Sequence, residues 1–290
     1  MSLYEKNLNM VKDEGERLNS TIDVNYNRYL KLIKNDKKSL LNIKWNKINL
    51  TKIQIYNLLI EVITNNTETL NYINLKNLEG TLSGEQINNL FVKSVKQNGL
   101  ALEFIENQTE EICLEAVKEN WHALLYVKDN KLSNKQLDEI YIEAIKENGL
   151  ALIFVKKQTL KLCLLAVKEN WKAIRFVERQ TDEICLEAVK QDGLALKYVK
   201  KQTPEICLIA VKQNGLALEY VKEKTDEICL EAVKQNRGAL KYIKDKKKYD
   251  KILKILSEIE GIYTIRQAYI NFLKEFNNSN QVISKKTINT

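Results

Sequence analysis

The sequence predicts an all-α fold, an α-solenoid of tandem 22-residue repeats that each contain two short helices. Two observations support this prediction. A sequence motif of the form ICLEAVKxNGxALxYVKxQT recurs along residues 87–245. Its last four copies align without a gap, so that Ala166, Ala188, Ala210 and Ala232 occupy equivalent positions. Each copy also carries helix-start signals followed by apolar residues at helical spacing. Repeats of this length are typical of helical units that stack and bury one another's apolar faces.

The repeat pattern divides the 290-residue chain into three segments. Residues 87–245 hold seven readable copies, with an insertion of six residues near KLSNKQ between the second and the third. Residues 1–86 contain two weaker matches to the motif, LIKNDKKSLLNI and VITNNTETLNYI. They predict divergent N-terminal helical repeats and a cap. Residues 246–290 predict a basic C-terminal helical cap and a polar tail, because the open end of a solenoid needs covering.

The first helix of each repeat is predicted to begin after a threonine. Thr181, Thr203 and Thr225 precede acidic residues or proline, and their hydroxyls can accept hydrogen bonds from the first helical turn. Pro204 falls at the first helical position, where its missing N–H costs little. In the text DEICLEAVKQ, the Ile, Cys, Ala and Val residues share one face, which predicts burial.

The turn that follows is predicted from Asn-Gly or Asp-Gly pairs such as Asn214-Gly215. This pair predicts a helix end that passes through a left-handed residue. A second helix, LALKYVKKQ, is then predicted to turn Leu194, Ala195, Tyr198 and Val199 inward. Neither helix is long enough to be stable alone, so stability must come from stacking.

The recurring ICLEAVK and NGLALxYVKxQT texts, which cover residues 87–245, resemble a tandem short α-helical repeat family of unknown function. Members of such a family are associated with large DNA viruses and with bacteria. The resemblance implies a helical repeat array. It supplies no activity, substrate or catalytic residue, and residues 1–86 and 246–290 depart from it.

Composition excludes several classes of function. The chain has one histidine, His122, which rules out sites built from two or more histidines. No two of its nine glycines are separated by a single residue, so the sequence contains no glycine-rich dinucleotide-binding motif and no P-loop motif. It also contains no GxSxG motif. We therefore expect no enzyme activity, no cofactor, no metal and no small-molecule substrate. The absence of an apolar leader and of a long apolar run predicts a cytoplasmic, intracellular protein without membrane contact.

The five cysteines all occupy one repeat position, which Tyr141 and Phe91 fill in the remaining copies. A metal or redox site would not accept these aromatic substitutes. Equivalent positions in stacked helices lie roughly 9–10 Å apart, which is too far for a disulfide. We therefore interpret the cysteines as small buried apolar residues, and retained thiols agree with a reducing compartment. These residues are Cys113, Cys163, Cys185, Cys207 and Cys229.

A lysine recurs at the end of the first helix and defines what we call the lysine edge. Such an edge could follow a phosphate backbone or an acidic partner, or it could simply complement the helix dipole. The net charge of +8 does not decide between these, because residues 87–245 carry 25 Lys+Arg against 24 Asp+Glu. Residues 246–290 carry 9 against 4, which includes the run Lys246, Lys247 and Lys248. The lysine edge consists of Lys96, Lys118, Lys146, Lys168, Lys190, Lys212 and Lys234.

Trp121 and Trp171 replace the turn glycine in two copies, on the side of the lysine edge. An exposed tryptophan could anchor a partner or stack on bases. It could equally fold back over the adjacent repeat, because large surface aromatics are usually partly buried. His122 aligns with variable positions, which predicts a surface residue.

Together these patterns predict a non-catalytic scaffold that binds another macromolecule, most simply a protein. The candidate partner-binding residues are Trp121, Trp171, Lys118, Lys146 and Lys168. The alternative is a nucleic-acid-binding repeat protein, including a viral or mobile-element inhibitor or modulator of a host nucleic-acid-processing defence complex. Its candidate residues are Lys190, Lys212, Lys234, Lys246, Lys247 and Lys248.

Overall fold

The computed structural model describes residues 24–73, 75–78, 80–261 and 270, and the regular elements within them are α-helices and 3₁₀ helices. The chain divides into two compact units, residues 1–170 (unit 1) and residues 171–290 (unit 2). Within each unit, α-helices stack on α-helices and 3₁₀ segments stack on 3₁₀ segments. The predicted all-α repeat solenoid is confirmed as the fold class.

Unit 1 contains seven α-helices and seven 3₁₀ segments among its described residues. The α-helices are α1 (24–35), α2 (Lys52–Asn65), α3 (Leu75–Leu78), α4 (Gly84–Gln97), α5 (Glu110–Glu119), α6 (Asn134–Glu147) and α7 (Leu160–Glu169). The 3₁₀ segments are η1 (Lys37–Asn42), η2 (Trp45–Lys47), η3 (Thr67–Tyr72), η4 (Gly99–Phe104), η5 (Trp121–Tyr126), η6 (Asp129–Lys131) and η7 (Gly149–Phe154). The six-residue insertion forms η6 and the extended start of α6.

Unit 2 continues the same alternation. Its described α-helices are α8 (Asp182–Gln191), α9 (Pro204–Gln213), α10 (Asp226–Gln235) and α11 (246–261). Its 3₁₀ segments are η8 (Trp171–Phe176), η9 (Gly193–Tyr198), η10 (Gly215–Tyr220) and η11 (Arg237–Tyr242). The expected polar tail lies outside the described residues, and so does the first part of the expected N-terminal cap.

The predicted starts and buried faces of the first helices are present. The hydroxyl of Thr203 accepts a hydrogen bond from the Ile206 N–H at 3.3 Å, and Pro204 stands at the start of α9. Thr181 and Thr225 cap α8 and α10 in the same way. The Ile, Cys, Ala and Val residues of these helices are buried, so they form one side of the core.

The second helix of each repeat is a six-residue 3₁₀ segment, and the predicted left-handed turn is wrong. Among the described residues only Gly80 has a positive φ. Asn214 is extended, with φ −147, its N–H donates to the Ala210 carbonyl at 2.9 Å, and its side chain accepts from the Leu216 N–H at 3.0 Å. One extended residue therefore ends the α-helix and caps the 3₁₀ segment, which leaves no place for a left-handed residue.

Glycine follows Asn214 because of a close backbone approach. A Cβ atom on Gly215 would lie 2.3 Å from the carbonyl oxygen of Ala232 in the next repeat, and one on Gly193 would lie 2.2 Å from that of Ala210. Real Cβ atoms do not tolerate such distances. Gly99 and Gly149 make the same approach to Ala116 and Ala166 in unit 1. The Gly and Ala positions of the repeat are thus two sides of one contact.

A glutamine side chain connects each of several repeats to the next. The Gln202 amide donates to the Tyr220 carbonyl at 2.9 Å, and its oxygen accepts from the Lys222 N–H at 3.0 Å. The same oxygen lies 3.5 Å from the Cys207 sulfur. Gln180 in unit 2 and Gln108 in unit 1 make equivalent contacts. We call this arrangement the glutamine clamp.

A second amide contact lies at the other end of the 3₁₀ segment. The Gln213 side-chain oxygen accepts from the Gly193 N–H at 2.6 Å, and its amide donates to the Gln191 carbonyl at 3.2 Å. Gln235 repeats this contact with Gly215. The start of a 3₁₀ segment is thus bound by a glutamine of the following repeat, and its end by a glutamine of the preceding repeat.

Replacing Gly215 with alanine is expected to destabilise the protein by about 1–3 kcal/mol, the usual cost of overpacking a close contact. The physical reason is the 2.3 Å approach of the new Cβ to the Ala232 carbonyl. The measurement is the urea unfolding midpoint. Gly84→Ala serves as the control, since a Cβ there meets no atom within 4 Å. Equal midpoints for the two variants would contradict the close-contact explanation.

Replacing Gln202 with methionine is expected to lower the free energy of unfolding by about 1–3 kcal/mol, because two hydrogen bonds between repeats, each worth about 0.5–1.5 kcal/mol, are lost. The affected groups are the Tyr220 carbonyl and the Lys222 N–H. Urea unfolding measures the loss, and hydrogen exchange at Lys222 should become faster. The control is Lys201→Met, which introduces the same side chain at the neighbouring exposed position. The clamp is refuted if both variants unfold at the same midpoint.

Candidate macromolecule-binding surfaces

The lysine edge is interleaved with glutamates. In unit 1, Glu115 lies 3.0 Å from Lys118 of its own helix and 3.2 Å from Lys96 of the preceding repeat. The hydrogen bond from Lys118 lowers the pKa of Glu115 and raises that of Lys118. Lys146 lies 3.6 Å from Glu143. The charges of these three lysines are therefore partly neutralised on the protein itself.

The same arrangement occurs in unit 2. Glu231 lies 2.9 Å from Lys234 and 4.0 Å from Lys212. The signal for this pairing was present in the sequence, because a glutamate stands three residues before the lysine in four of the repeats. Those glutamates are Glu115, Glu143, Glu187 and Glu231.

The lysine run after residue 245 lies at the start of α11. Lys248 donates a hydrogen bond to the Lys224 carbonyl and lies 3.9 Å from Asp226, which Lys251 also contacts at 2.5 Å. Ile252 is fully buried, so α11 packs against the last repeat. Lys246 and Lys247 are exposed. Part of this run therefore attaches a helix to the array.

Both tryptophans pack over an aromatic ring of the next repeat. In unit 1, the Trp121 ring stacks on His122 with centroids 3.7 Å apart and lies 5.9 Å from Phe154. In unit 2, the Trp171 ring lies 6.5 Å from Tyr198. Both side chains are half-buried, as expected for rings that fold back over an adjacent repeat.

The exposed surface of the 3₁₀ layer is formed by the second, fifth and sixth residues of each segment. With three residues per turn, the second and fifth residues lie one above the other. The first, third and fourth positions hold Gly, Ala and Leu in most copies, and these are largely buried. The sixth residue is a half-buried aromatic ring in η4, η5 and η7–η11.

In η5 and η7 of unit 1 this surface is largely apolar, while η4 adds Leu100 and Phe104 beside the exposed Glu103; we call its apolar residues the apolar strip. Leu125 is 60% exposed and Ile153 is 51% exposed, at equivalent fifth positions of η5 and η7. The rings of Trp121, Tyr126 and Phe154 lie beside them. The full strip consists of Leu100, His122, Leu125, Leu150 and Ile153 with Phe104, Trp121, Tyr126 and Phe154.

In unit 2 the fifth position carries a cation in η8, η9 and η11, and we call the surface formed by the fifth and sixth residues the basic strip. The Arg175 guanidinium lies 4.9 Å from the Phe176 ring centroid and 6.0 Å from that of Tyr198. The Lys197 ammonium lies 5.7 Å from the Tyr198 centroid and 5.9 Å from that of Tyr220. The strip consists of Arg175, Lys197, Glu219 and Lys241 with Phe176, Tyr198, Tyr220 and Tyr242.

The sequence prediction missed both strips. It concentrated on residues that recur, such as the lysines and cysteines, whereas the strips consist of a recurring aromatic residue beside a varying one. The change at the fifth position, from Leu125 and Ile153 to Arg175, Lys197 and Lys241, was readable in the alignment of repeats.

All five cysteines are buried, as predicted, and none of them forms a disulfide. Burial raises the pKa of the Cys113 thiol to about 12 and that of Cys185 to about 11. It also raises the pKa values of Cys207 and Cys229. In the part of the chain that the structure describes, no three His, Cys, Asp or Glu residues form a metal-binding group.

The thiols are expected to be unreactive toward a disulfide reagent at pH 8 in the native protein and reactive after unfolding. The folded pKa values of Cys113, Cys185, Cys207 and Cys229 lie above the usual 9.0, so the contribution of these thiols to stability is complete below pH 9 and is lost as pH rises toward their folded values. Labelling of the native and the unfolded protein measures thiol reactivity, and urea unfolding at pH 8 and pH 10 measures the change in stability. The variant Cys185→Ala with Cys207→Ala should lose less unfolding free energy between pH 8 and pH 10 than the wild type. Rapid labelling of the thiols in the native protein at pH 8 would contradict their assignment as buried residues.

The fold is that of a helical-repeat protein, and the residues of the apolar strip and of the basic strip lie on its 3₁₀ segments. Comparison with known families agrees with this class. Residues 160–203, 181–225 and 203–246 match the family described as a domain of unknown function, DUF4116. The three overlapping matches confirm similarity to a tandem repeat family of unknown function over residues 160–246. The expected association with viruses and bacteria stays a prediction.

No curated protein and no solved structure matches this chain. Among the described helices, none combines the length and the apolar character needed to cross a bilayer.

Proposed function

We propose that this protein is a non-catalytic scaffold that binds another protein, and that the apolar strip of unit 1 is the contact surface. One observation carries the proposal. Leu125 and Ile153 are large, exposed aliphatic residues at a position where other repeats have Glu103, Lys197 or Glu219. The scaffold accepts a charged residue at this position, so folding does not require the aliphatic ones.

The surroundings of these two residues favour a protein partner. Exposed apolar groups that are clustered, rather than scattered, are typical of interaction sites. The ring stack of Trp121, His122 and Phe154 is already packed in the unbound chain, so binding would cost little side-chain entropy at these residues. Preformed aromatic residues beside aliphatic ones resemble the composition of interface centres.

The residues first expected to bind take different roles in this proposal. Trp121 forms a wall of the apolar strip rather than a free anchor, while Trp171 belongs to unit 2. Lys118 and Lys146 are paired with glutamates, so their substitution should affect a protein partner weakly. Lys168 remains a candidate on sequence grounds alone.

The alternative of nucleic-acid binding through the lysine edge has less support. Lys212 and Lys234 share Glu231, and Lys248 is engaged with the last repeat. Lys190, Lys246 and Lys247 remain candidates from the sequence. The narrower hypothesis of a viral or mobile-element modulator of a host defence complex also stays a prediction.

The test replaces Leu125 and Ile153 with glutamate, the residue that equivalent positions already carry. Burial of each aliphatic side chain should contribute about 1.5–3 kcal/mol to the binding free energy. The Kd of the double variant for the partner should therefore be more than about tenfold higher than that of the wild type. The partner is first captured by a photo-crosslinking residue at position 125 in cells that express the protein. Calorimetry with the purified pair then gives the Kd of each variant.

The matched control is Ile53→Glu with Leu160→Glu, which removes two other exposed aliphatic residues from unit 1. Ile53 is 68% exposed and Leu160 is 52% exposed, so the change in charge and exposed apolar area is similar. The proposal fails if the control variant loses the partner equally, or if a crosslinker at position 53 captures the same protein.

A further inference from the structure

We propose that the basic strip of unit 2 binds single-stranded nucleic acid, with each repeat supplying one aromatic ring and most repeats one cation. This inference concerns a surface different from the apolar strip and does not depend on the proposed protein partner. It also differs from the sequence-based alternative, which placed nucleic acid on the lysine edge.

The first support is the alternation of rings and cations. Arg175 lies within 6.0 Å of two successive ring centroids, those of Phe176 and Tyr198. Lys197 does the same for Tyr198 and Tyr220 at 5.7 and 5.9 Å, and Lys241 lies 4.8 Å from the Tyr242 centroid. A cation thus stands between consecutive rings along η8, η9 and η10.

The second support is that these cations are not neutralised. Among the described residues, no carboxylate oxygen lies within 4.0 Å of the charged groups of Arg175, Lys197 or Lys241, whereas Lys212 and Lys234 share Glu231. All three side chains are exposed. The strip therefore presents positive charge to solvent, interrupted only at Glu219, which occupies the fifth position of η10.

The ligand follows from this combination. Grooves that bind single strands combine cations that follow the phosphates with aromatic rings on which bases stack. Helical repeat proteins can place one base on each repeat, which suits a ring that recurs once every 22 residues. A duplex hides its base faces, and an acidic peptide would use the cations but not the rings. The observations therefore favour a single strand.

The test uses the full chain and fluorescence anisotropy with a labelled oligo(U) of about 16 nucleotides, near the upper site size of comparable grooves. With about three phosphate contacts, affinity should fall about 20-fold between roughly 50 and 200 mM salt. The variant Arg175→Glu, Lys197→Glu, Lys241→Glu should lose at least tenfold in affinity. Glutamate already occupies this position at Glu219, so the variant should fold, which circular dichroism checks.

The matched control is Lys190→Glu, Lys212→Glu, Lys234→Glu, which changes the net charge by the same amount on the lysine edge of the same unit. It should bind oligo(U) within about threefold of the wild type, because its lysines lie outside the strip. Glu219→Lys should strengthen binding several-fold and steepen the salt dependence by about 0.7 in the log–log slope, as one added phosphate contact requires.

A ring variant separates nucleic acid from acidic protein. Tyr198→Leu with Tyr220→Leu keeps apolar bulk but removes stacking, so it should weaken oligo(U) binding at least tenfold. The proposal is overturned if oligo(U) does not bind at about 50 mM salt, if duplex RNA binds equally well, or if the lysine-edge control loses as much affinity. Equal binding of an oligoglutamate peptide that is unaffected in the ring variant would assign the strip to an acidic protein instead.

Discussion

The fold depends on how the backbone groups at the ends of very short helices are satisfied. A helix leaves its terminal N–H and C=O groups without internal partners, and helices of ten and six residues consist largely of such ends. In this protein the two neighbouring repeats supply partners for the 3₁₀ segments. The glutamine clamp binds the end of the 3₁₀ segment, and residues such as Gln213 bind its start. Repeats are therefore stabilised by polar contacts between neighbours as well as by apolar burial.

This constraint explains which repeat positions vary and which do not. In four repeats the first residue of the 3₁₀ segment lies so close to a backbone carbonyl of the next helix that only glycine fits, whereas Trp121, Trp171 and Arg237 occupy this position in the others. The clamp requires a side-chain amide, which carries a donor and an acceptor together. In the repeat before the last, Lys224 replaces the glutamine and donates to the Val221 carbonyl, and its own carbonyl accepts a hydrogen bond from Lys248 of α11. The exposed fifth position of the 3₁₀ segment lies outside these contacts and outside the core, and it varies among the repeats.

The sequence predicted the parts of the fold that follow from periodicity and local capping. The threonine caps, Pro204 at a helix start and the buried Ile-Cys-Ala-Val face are examples. It did not distinguish a 3₁₀ segment from an α-helix, because a run such as LALKYV suits either geometry. The left-handed Asn-Gly turn failed because the glycine is needed for a contact distant in sequence. Gln202 was missed because a glutamine between two helices is indistinguishable from a solvated loop residue until the next repeat is in place.

The strips show that one surface position of this scaffold holds chemically different residues on the same local backbone. Leucine, isoleucine, glutamate, lysine and arginine all occupy the fifth position of nearly identical 3₁₀ segments, at Leu125, Ile153, Glu219, Lys197 and Arg175. Since neither the glycine contact nor the glutamine clamp involves this position, exchanges there should leave both intact. When a substitution at the fifth position changes binding, the effect can therefore be assigned to the surface itself and not to a loss of folding. The reason is that sites without shared contacts contribute independently to stability.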